Sequence, residues 1–213
     1  TKADKEIIYN KYILGAPEEI ISKLAAEPIL RTYLLSLISA EIVKTDREIY
    51  DFFKETFYAY QFKNLEKLER IIEKMLLLLE NFEFITIKDE KVNSTLLGKK
   101  VSQLYIDPLT AYGLIEALKI LKNVNVKDFT FLHLICSTLE MRPLFNVGMK
   151  EYELFEEKLS SYAENLVVKN EFEDNYLNVA KTSFVLKEWI EEKTEQEMLE
   201  NYNVRPGELR YKI

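Results

Sequence analysis

The segment Phe131-Leu132-His133-Leu134-Ile135-Cys136 holds the only histidine and the only cysteine of the chain, three positions apart. On a helix that spacing puts both side chains on one face. A thiol beside an imidazole is the pairing of a cysteine nucleophile with its base. No third orienting group stands at a recognisable spacing, so the pair reads as a core cysteine beside a hydrogen-bonded histidine. A single cysteine allows neither an internal disulfide nor a cysteine-rich zinc site, which fits a reducing cytosol. A single histidine excludes every two-histidine metal centre.

Three other groups could carry chemistry. Glu188, Glu191, Glu192, Glu195 and Glu197 form an acidic run that could hold a cation. Lys187 and Lys193 interleave with it, which is the pattern of a solvated helix face. Phe52, Phe53, Phe57, Tyr58 and Tyr60 could stack on bases. Their spacing suits a helix buried on one side, so most of them are expected in the core. The basic residues Lys99 and Lys100, and Arg205, Arg210 and Lys212 near the end, are the local patches able to meet phosphate. The fields around them are not basic. Residues 1–108 hold 16 basic and 18 acidic side chains, and residues 109–213 hold 13 and 18. With a net charge of −7 overall, neither part has the field of an autonomous nucleic-acid binder.

The elements that would position these residues are mostly helical. The 213 residues are 47% hydrophobic and 12% aromatic, ample for packed cores. They include 5 glycines, against the roughly 15 that ordinary usage of about 7% would give. No two lie within four positions, so neither glycine-loop nucleotide motif can be written. The longest apolar runs, such as Met75 to Leu79, fall far short of the ~18 residues a membrane span needs, and no signal-peptide pattern opens the chain. Abundant Lys, Glu, Ile and Tyr with little Gly suit a thermophile.

Apolar spacing and caps predict the order of elements. The stretch to Ala16 is a lead-in. Pro17, with Glu18 and Glu19 behind it, opens a helix whose buried stripe is Ile20, Ile21 and Leu24. A second helix follows Pro28, with Leu30, Leu34, Leu35 and Ile38 inward. Thr45-Asp46-Arg47-Glu48 is a capping box that starts a third helix reaching Tyr60. Asn64 caps a fourth, from Leu65 to Leu79. Phe82 to Ile87 and Val92 to Leu97 alternate as strands around the turn Lys88 to Lys91. This hairpin is closed by Gly98-Lys99-Lys100. Helices followed by such a ribbon have the order of a winged helix.

Asp107-Pro108 is an N-cap with proline at N1, and the domain boundary is placed there: 1–108, then an all-α domain over 109–213. In the second domain Asp128 caps Phe129 to Met141, Lys150 opens a helix to about Val168, and Val179 to Glu192 follows. Thr194 to Glu197 is a capping box for a helix to Tyr202. Arg205 to Arg210 reads as a helix beginning, and the chain stops at Ile213. That ending reads as a truncation, and the first residue, Thr1, as that of an excised piece.

These residues carry a family pattern. The stretch Thr95 to Ala111 (TLLGKKVSQLYIDPLTA) resembles the T-x-x-G-x-x-x-S-x-x-Y-[IL]-x-P-x-[ST]-[AG] segment of the Ski-two-like superfamily-two helicases, in particular the archaeal Hjm/HELQ-type DNA repair branch. Tyr12 to Gly15 with Pro17-Glu18, Phe129 to Met141, Leu186 to Glu192 and Val204 to Arg210 are similar to further landmarks of that branch. Together they cover nearly the whole chain.

The resemblance implies a mainly α fragment, a winged helix with a short β-hairpin followed by an incomplete helical ratchet domain. It implies an ATP-dependent 3′–5′ DNA helicase acting at stalled forks, whose RecA-like motor domains, with their ATP and Mg, precede Thr1. The fragment itself would hold no cofactor and no catalytic residue. Its partners would be single-stranded or forked DNA and the motors of the same chain, in a cytoplasmic monomer away from any membrane. Arg210 matches the first basic position of the family's ratchet helix. Tyr211 stands where a second basic residue is common, and could stack instead. The DNA-facing set is then Lys99, Lys100, Arg205, Arg210, Tyr211 and Lys212, while Trp189 belongs to an earlier helix and is structural. The alternatives are a free-standing winged-helix protein reading duplex DNA through the Thr45 to Tyr60 helix, and an RNA-directed member of the same superfamily. That helix offers Arg47 and Lys54 against Asp46, Glu48, Asp51 and Glu55, a poor approach to phosphates.

Overall fold

The computed structural model describes residues 2–17, 19–62, 65–123, 125–167 and 175–212. The expected features at Glu18, Asn64 and Val168 lie outside them. The fold is mainly α with one small hairpin, and the chain divides into two compact units, residues 1–99 and 100–213.

The first unit opens with α1 (Lys2–Ile8), continued by a wider π-helical turn over Tyr9–Ile13. Among the described residues no helix opens at Pro17. Ile20 and Ile21 are 77% and 56% exposed rather than buried. The backbone here is held by a distant side chain: Gln61 accepts the Ser22 N–H at 2.8 Å and donates to the Ile20 carbonyl at 2.6 Å. Proline at 17 permits a helix but does not impose one, and the extended segment finds its hydrogen bonds elsewhere.

Pro28 behaves as expected. It lies in the first turn of α2 (Glu27–Ser39), which buries Leu30, Leu34, Leu35 and Ile38. Next come α3 (Asp46–Lys54) and α4 (Phe57–Gln61), two helices where the spacing predicts one. The break lies at Glu55-Thr56. Thr56 donates to the Phe53 carbonyl at 2.7 Å and its Oγ1 accepts the Ala59 N–H at 3.5 Å, so one threonine ends one helix and starts the next. Phe52, on α3, is 40% exposed, the phase shift leaves Phe57 and Tyr60 at 50% and 83%, and Phe53 and Tyr58 are buried. The aromatic group is therefore only partly core, contrary to its spacing.

Helix α5 (Glu66–Asn81) packs on α2 and buries Leu68, Ile72, Met75 and Leu79. Strands β1 (Ile85–Lys88) and β2 (Lys91–Ser94) pair antiparallel, Ile85 opposite Ser94 and Lys88 opposite Lys91. A further bridge joins Thr45 to Lys91, and the Val92 N–H donates to the Lys44 carbonyl at 2.8 Å. The second strand ends sooner than its alternation suggests. Thr95 Oγ1 accepts the Gly98 N–H at 3.0 Å and starts α6 (Leu96–Leu104), so Lys99 and Lys100 are helical rather than at the hairpin end.

The second unit contains α7 (Pro108–Ile120), α8 (Asp128–Cys136), α9 (Tyr152–Ser160), α10 (Tyr176–Ile190), α11 (Glu195–Tyr202) and α12 (Pro206–Arg210). Asp107 caps α7, its Oδ1 accepting the Leu109 N–H at 2.8 Å. Asp128 is the first residue of α8 rather than its cap: Thr130 Oγ1 accepts the Lys127 N–H at 3.0 Å. That helix also stops at Cys136, ahead of a 3₁₀ turn over Leu139–Met141. The Thr194–Glu197 capping box is present in both directions, at 3.3 and 2.8 Å. Helix α10 is the central element, packed against α8, α9 and α11. Around it Phe129, Tyr162, Phe184, Phe155 and Tyr202 form a continuous ring cluster with centroid separations of 4.3 to 6.3 Å.

Among the described residues five α-helices end in a left-handed residue: Glu41 after α2, Glu83 after α5, Tyr105 after α6, Glu192 after α10 and Asn203 after α11. The Ile42, Phe84 and Lys193 N–H groups close the first, second and fourth of these onto Leu37, Leu79 and Glu188, the bond of a Schellman cap. Asp89 and Glu90, with φ of 50° and 61°, make the hairpin turn. Among the described residues no glycine has positive φ.

Candidate nucleic-acid interface

The expected DNA-facing residues fall on two helices. Lys99 and Lys100 are on α6. Arg205, Arg210, Tyr211 and Lys212 lie on and beside α12, at the end of the second unit. Lys99 lies 3.6 Å from Glu41, whose carboxyl is held below its ordinary value chiefly by Lys44 and then by Lys99. Lys100 is exposed.

The local fold of the terminal group is set by one carboxylate. The Arg205 N–H donates to Glu208 at 2.9 Å, which with Pro206 in the first turn starts α12, and Leu209 anchors the helix at 2% exposure. This leaves the Arg205 side chain outside. Arg210 reaches back to Glu195 of α11 at 2.9 Å in an exposed pair. Such pairs are worth about 0–1 kcal/mol, so phosphate can replace this carboxylate at little cost. Tyr211 is 75% exposed. Lys212 differs from its neighbours: its ammonium donates to the Met141 carbonyl, and burial holds its pKa below that of a free lysine. Arg205 at the start of α12, Arg210 at its end and Tyr211 just beyond it therefore present two cations and an exposed ring, while Lys212 is tied inward with its ammonium 5.8 Å from the Tyr211 ring centroid.

The other candidates resolve into structure. His133 and Cys136 are 1% and 0% exposed. Burial pushes the imidazole down to about 4 and the thiol up to about 11. A nucleophilic pair needs the reverse, a stabilised thiolate beside a base, so the pair is inert. His133 departs from expectation in one respect: its Nε2 is buried with no hydrogen-bond partner. The acidic run is distributed. Glu188 accepts the Tyr202 hydroxyl at 2.5 Å, Glu191 pairs with Lys187 at 2.8 Å, Glu195 with Arg210, and Glu197 caps α11. Among the described residues no three His, Cys, Asp or Glu side chains converge on a point that could hold a metal. On α3, Asp51 pairs with both cations of the candidate reading helix, Arg47 at 3.9 Å and Lys54 at 3.3 Å.

Sequence reasoning missed a polar ladder along α10. Asn178 accepts the Val147 N–H at 2.8 Å, Thr182 the Phe145 N–H at 3.0 Å, and Lys181 donates to the Asn146 carbonyl at 3.0 Å. Spacing offers one signal for it, since residues 178, 181 and 182 share a helix face.

Residues 129–213 match the family model of the archaeal helicase, domain 4. Over its whole length the chain is 39% identical to the ATP-dependent DNA helicase Hel308 of Pyrococcus horikoshii, covering 30% of that protein. It is 38% identical, over 92% of its length, to Hel308 of Methanocaldococcus jannaschii, covering 16% of it. With Hel308 of Pyrococcus abyssi the identity is 34% over the full chain and 30% of the relative. The chain thus spans less than a third of the length of these curated relatives. No helix among the described residues is long and apolar enough to cross a membrane. Residues 129–213 are thus similar to the archaeal helicase domain 4 family, and the chain as a whole is similar to one part of the Hel308 DNA helicases.

Proposed function

We propose that the chain is the winged-helix and ratchet part of an ATP-dependent 3′–5′ DNA helicase that acts in repair or restart of stalled forks. The similarity of the full chain to a continuous part of Hel308 helicases carries this reading. The five helices before the hairpin, with the Thr45–Lys91 bridge that adds a third segment to it, support a winged helix. In this reading the winged helix ends at Asp107-Pro108 and braces RecA-like motors of the same protein. Those motors hold ATP and Mg. The helical unit encloses single-stranded DNA in a cytoplasmic monomer. The exposed Arg205, Arg210 and Tyr211 meet the strand, cations on phosphate and ring on base; Lys100 is a second phosphate contact, and Lys99 joins it by exchanging Glu41.

The duplex-reading alternative is disfavoured because its helix sets Arg47 and Lys54 against Asp46, Glu48, Asp51 and Glu55, a net negative approach to phosphate. The test is fluorescence anisotropy of a labelled single strand titrated with this chain at rising salt. Weak binding that falls steeply with salt is expected, with no ATP hydrolysis. Arg210→Ala should reduce the salt slope by about one phosphate contact. DNA-stimulated ATPase activity from the pure chain, or binding indifferent to salt, would overturn the reading.

A further inference from the structure

Helix α12 has an inner and an outer face. Leu209 is 2% exposed, and Lys212 stands three positions on, so the two share the face turned to the core. Arg210 and Tyr211 lie between them in sequence and are exposed. The Tyr211 and Lys212 N–H groups donate to the Gly207 and Leu209 carbonyls at 3.3 and 2.9 Å, so the helical turn continues through both residues. We propose that Lys212 is a positioning residue for the strand contact, holding the Tyr211 ring in place for a base rather than meeting phosphate itself. The proposal rests on the reading of α12 as a strand-facing helix.

The Lys212 ammonium donates to the Met141 carbonyl, at the end of the 3₁₀ turn Leu139–Met141. The buried thiol of Cys136, in α8, lies within electrostatic reach of it. Burial lowers the lysine pKa, as it does for any cationic head group drawn away from water. The same ammonium is 5.8 Å from the Tyr211 ring centroid, within cation–π range. The ring nonetheless remains 75% exposed. Lys212 therefore touches both the body of the second unit and the ring offered to the strand. To meet phosphate it would have to leave carbonyl, thiol and ring together.

Such a tie matters because α12 is five residues long, too short to persist on its own. Leu209 fixes one point of its inner face and Lys212 a second, and two points decide which side faces out. A base that stacks on Tyr211 then meets a ring already in place, and binding is spared the entropy of ordering it.

Fluorescence anisotropy of a labelled single strand, and of the same strand made abasic, separates the two roles of Lys212. The 213-residue chain should prefer the ordinary strand. Lys212→Met, or Lys212→Gln where the first does not fold by circular dichroism, should lose about fivefold on that strand, the low end of one base–aromatic stack. Affinity for the abasic strand and the salt slope should stay those of the parent, because Arg205 and Arg210 still reach phosphate. Lys212→Arg should restore the loss, and Tyr211→Ala added to Lys212→Met should change nothing further. A salt slope lowered by about 0.7, one phosphate contact on a single strand, would make Lys212 a direct contact and overturn the proposal. So would an equal loss on both strands, the mark of a merely structural role, or parent-like binding throughout. A parent chain that binds both strands equally overturns the positioning role alone; one that binds neither overturns the proposed function as well.

Discussion

The Lys181 ammonium lies 2.9 Å from each carboxylate oxygen of Glu151, and the same carboxylate accepts the Gly148 N–H at 2.8 Å. The lysine side chain is 4% exposed and the glutamate 27%. One ion pair thereby fixes the loop between α8 and α9 to the central helix. Burial alone would raise the Glu151 pKa, but the Gly148 N–H and Lys181 together hold it below the ordinary carboxylate value. Glu151→Ala strands a buried ammonium and should cost about 2–4 kcal/mol of unfolding free energy, read from a urea melt. Because the folded pKa is depressed, the stabilisation is full above the unfolded glutamate range and is lost as pH falls through the lowered value. A Glu151→Ala chain as stable as the parent at neutral pH would show that the pair does not hold the loop.

His133 should make the second unit acid-sensitive in a separate window. Burial lowers its pKa from 6.5 to about 4, so between those values the unfolded chain binds the proton and the folded one does not. The stability is complete above pH 6.5 and falls by roughly 3 kcal/mol down to about pH 4. A His133→Phe variant should lose that part of the slope, which unfolding midpoints across this pH range would reveal.

Two helical glycines should respond to alanine with opposite signs. At Gly98 a Cβ would stand 2.0 Å from the Phe84 carbonyl oxygen, a backbone atom that cannot step aside. Gly98→Ala should destabilise by about 2–4 kcal/mol, separating the start of α6 from the backbone just ahead of β1. Gly113→Ala meets nothing and should stabilise by about 0.5–1 kcal/mol. Thermal melts of the two variants moving in the same direction would contradict this.

Capping supplies a third comparison. Thr194 and Glu197 exchange hydrogen bonds in both directions, whereas Glu48 accepts the N–H of Lys44 rather than that of Thr45. Thr194→Ala should cost about 1 kcal/mol. It should also loosen α11, and with it the Glu195 that holds Arg210; hydrogen exchange confined to Glu195–Tyr202 is the readout.

Much of the fold was legible because its signals are local. Pro28, Asp107-Pro108 and the Thr194–Glu197 box each specify a helix start within four residues, and the structure starts helices there. Pro17 carries the same signal, yet its segment is held by Gln61, 41 positions beyond Ile20. No window on the sequence contains that bond. The split at Thr56 is local but ambiguous, since threonine in a helical pattern is as easily a passenger as a cap. At the candidate interface the residue types were readable, but not their availability. Lys212 is committed to Met141, 71 positions earlier, and Arg210 to Glu195, 15 positions earlier.

The left-handed helix ends have a thermal consequence. At Glu41, Glu83, Tyr105, Glu192 and Asn203 the chain uses side-chain-bearing residues where glycine would relax the backbone. Each such choice adds strain of order 1 kcal/mol to the folded state, and each also removes conformations that glycine would give the unfolded chain. The first term is energetic and nearly constant with temperature, while the second is entropic and grows in proportion to it. The balance therefore tilts toward the native state on heating, and the scarcity of glycine becomes a brake on melting.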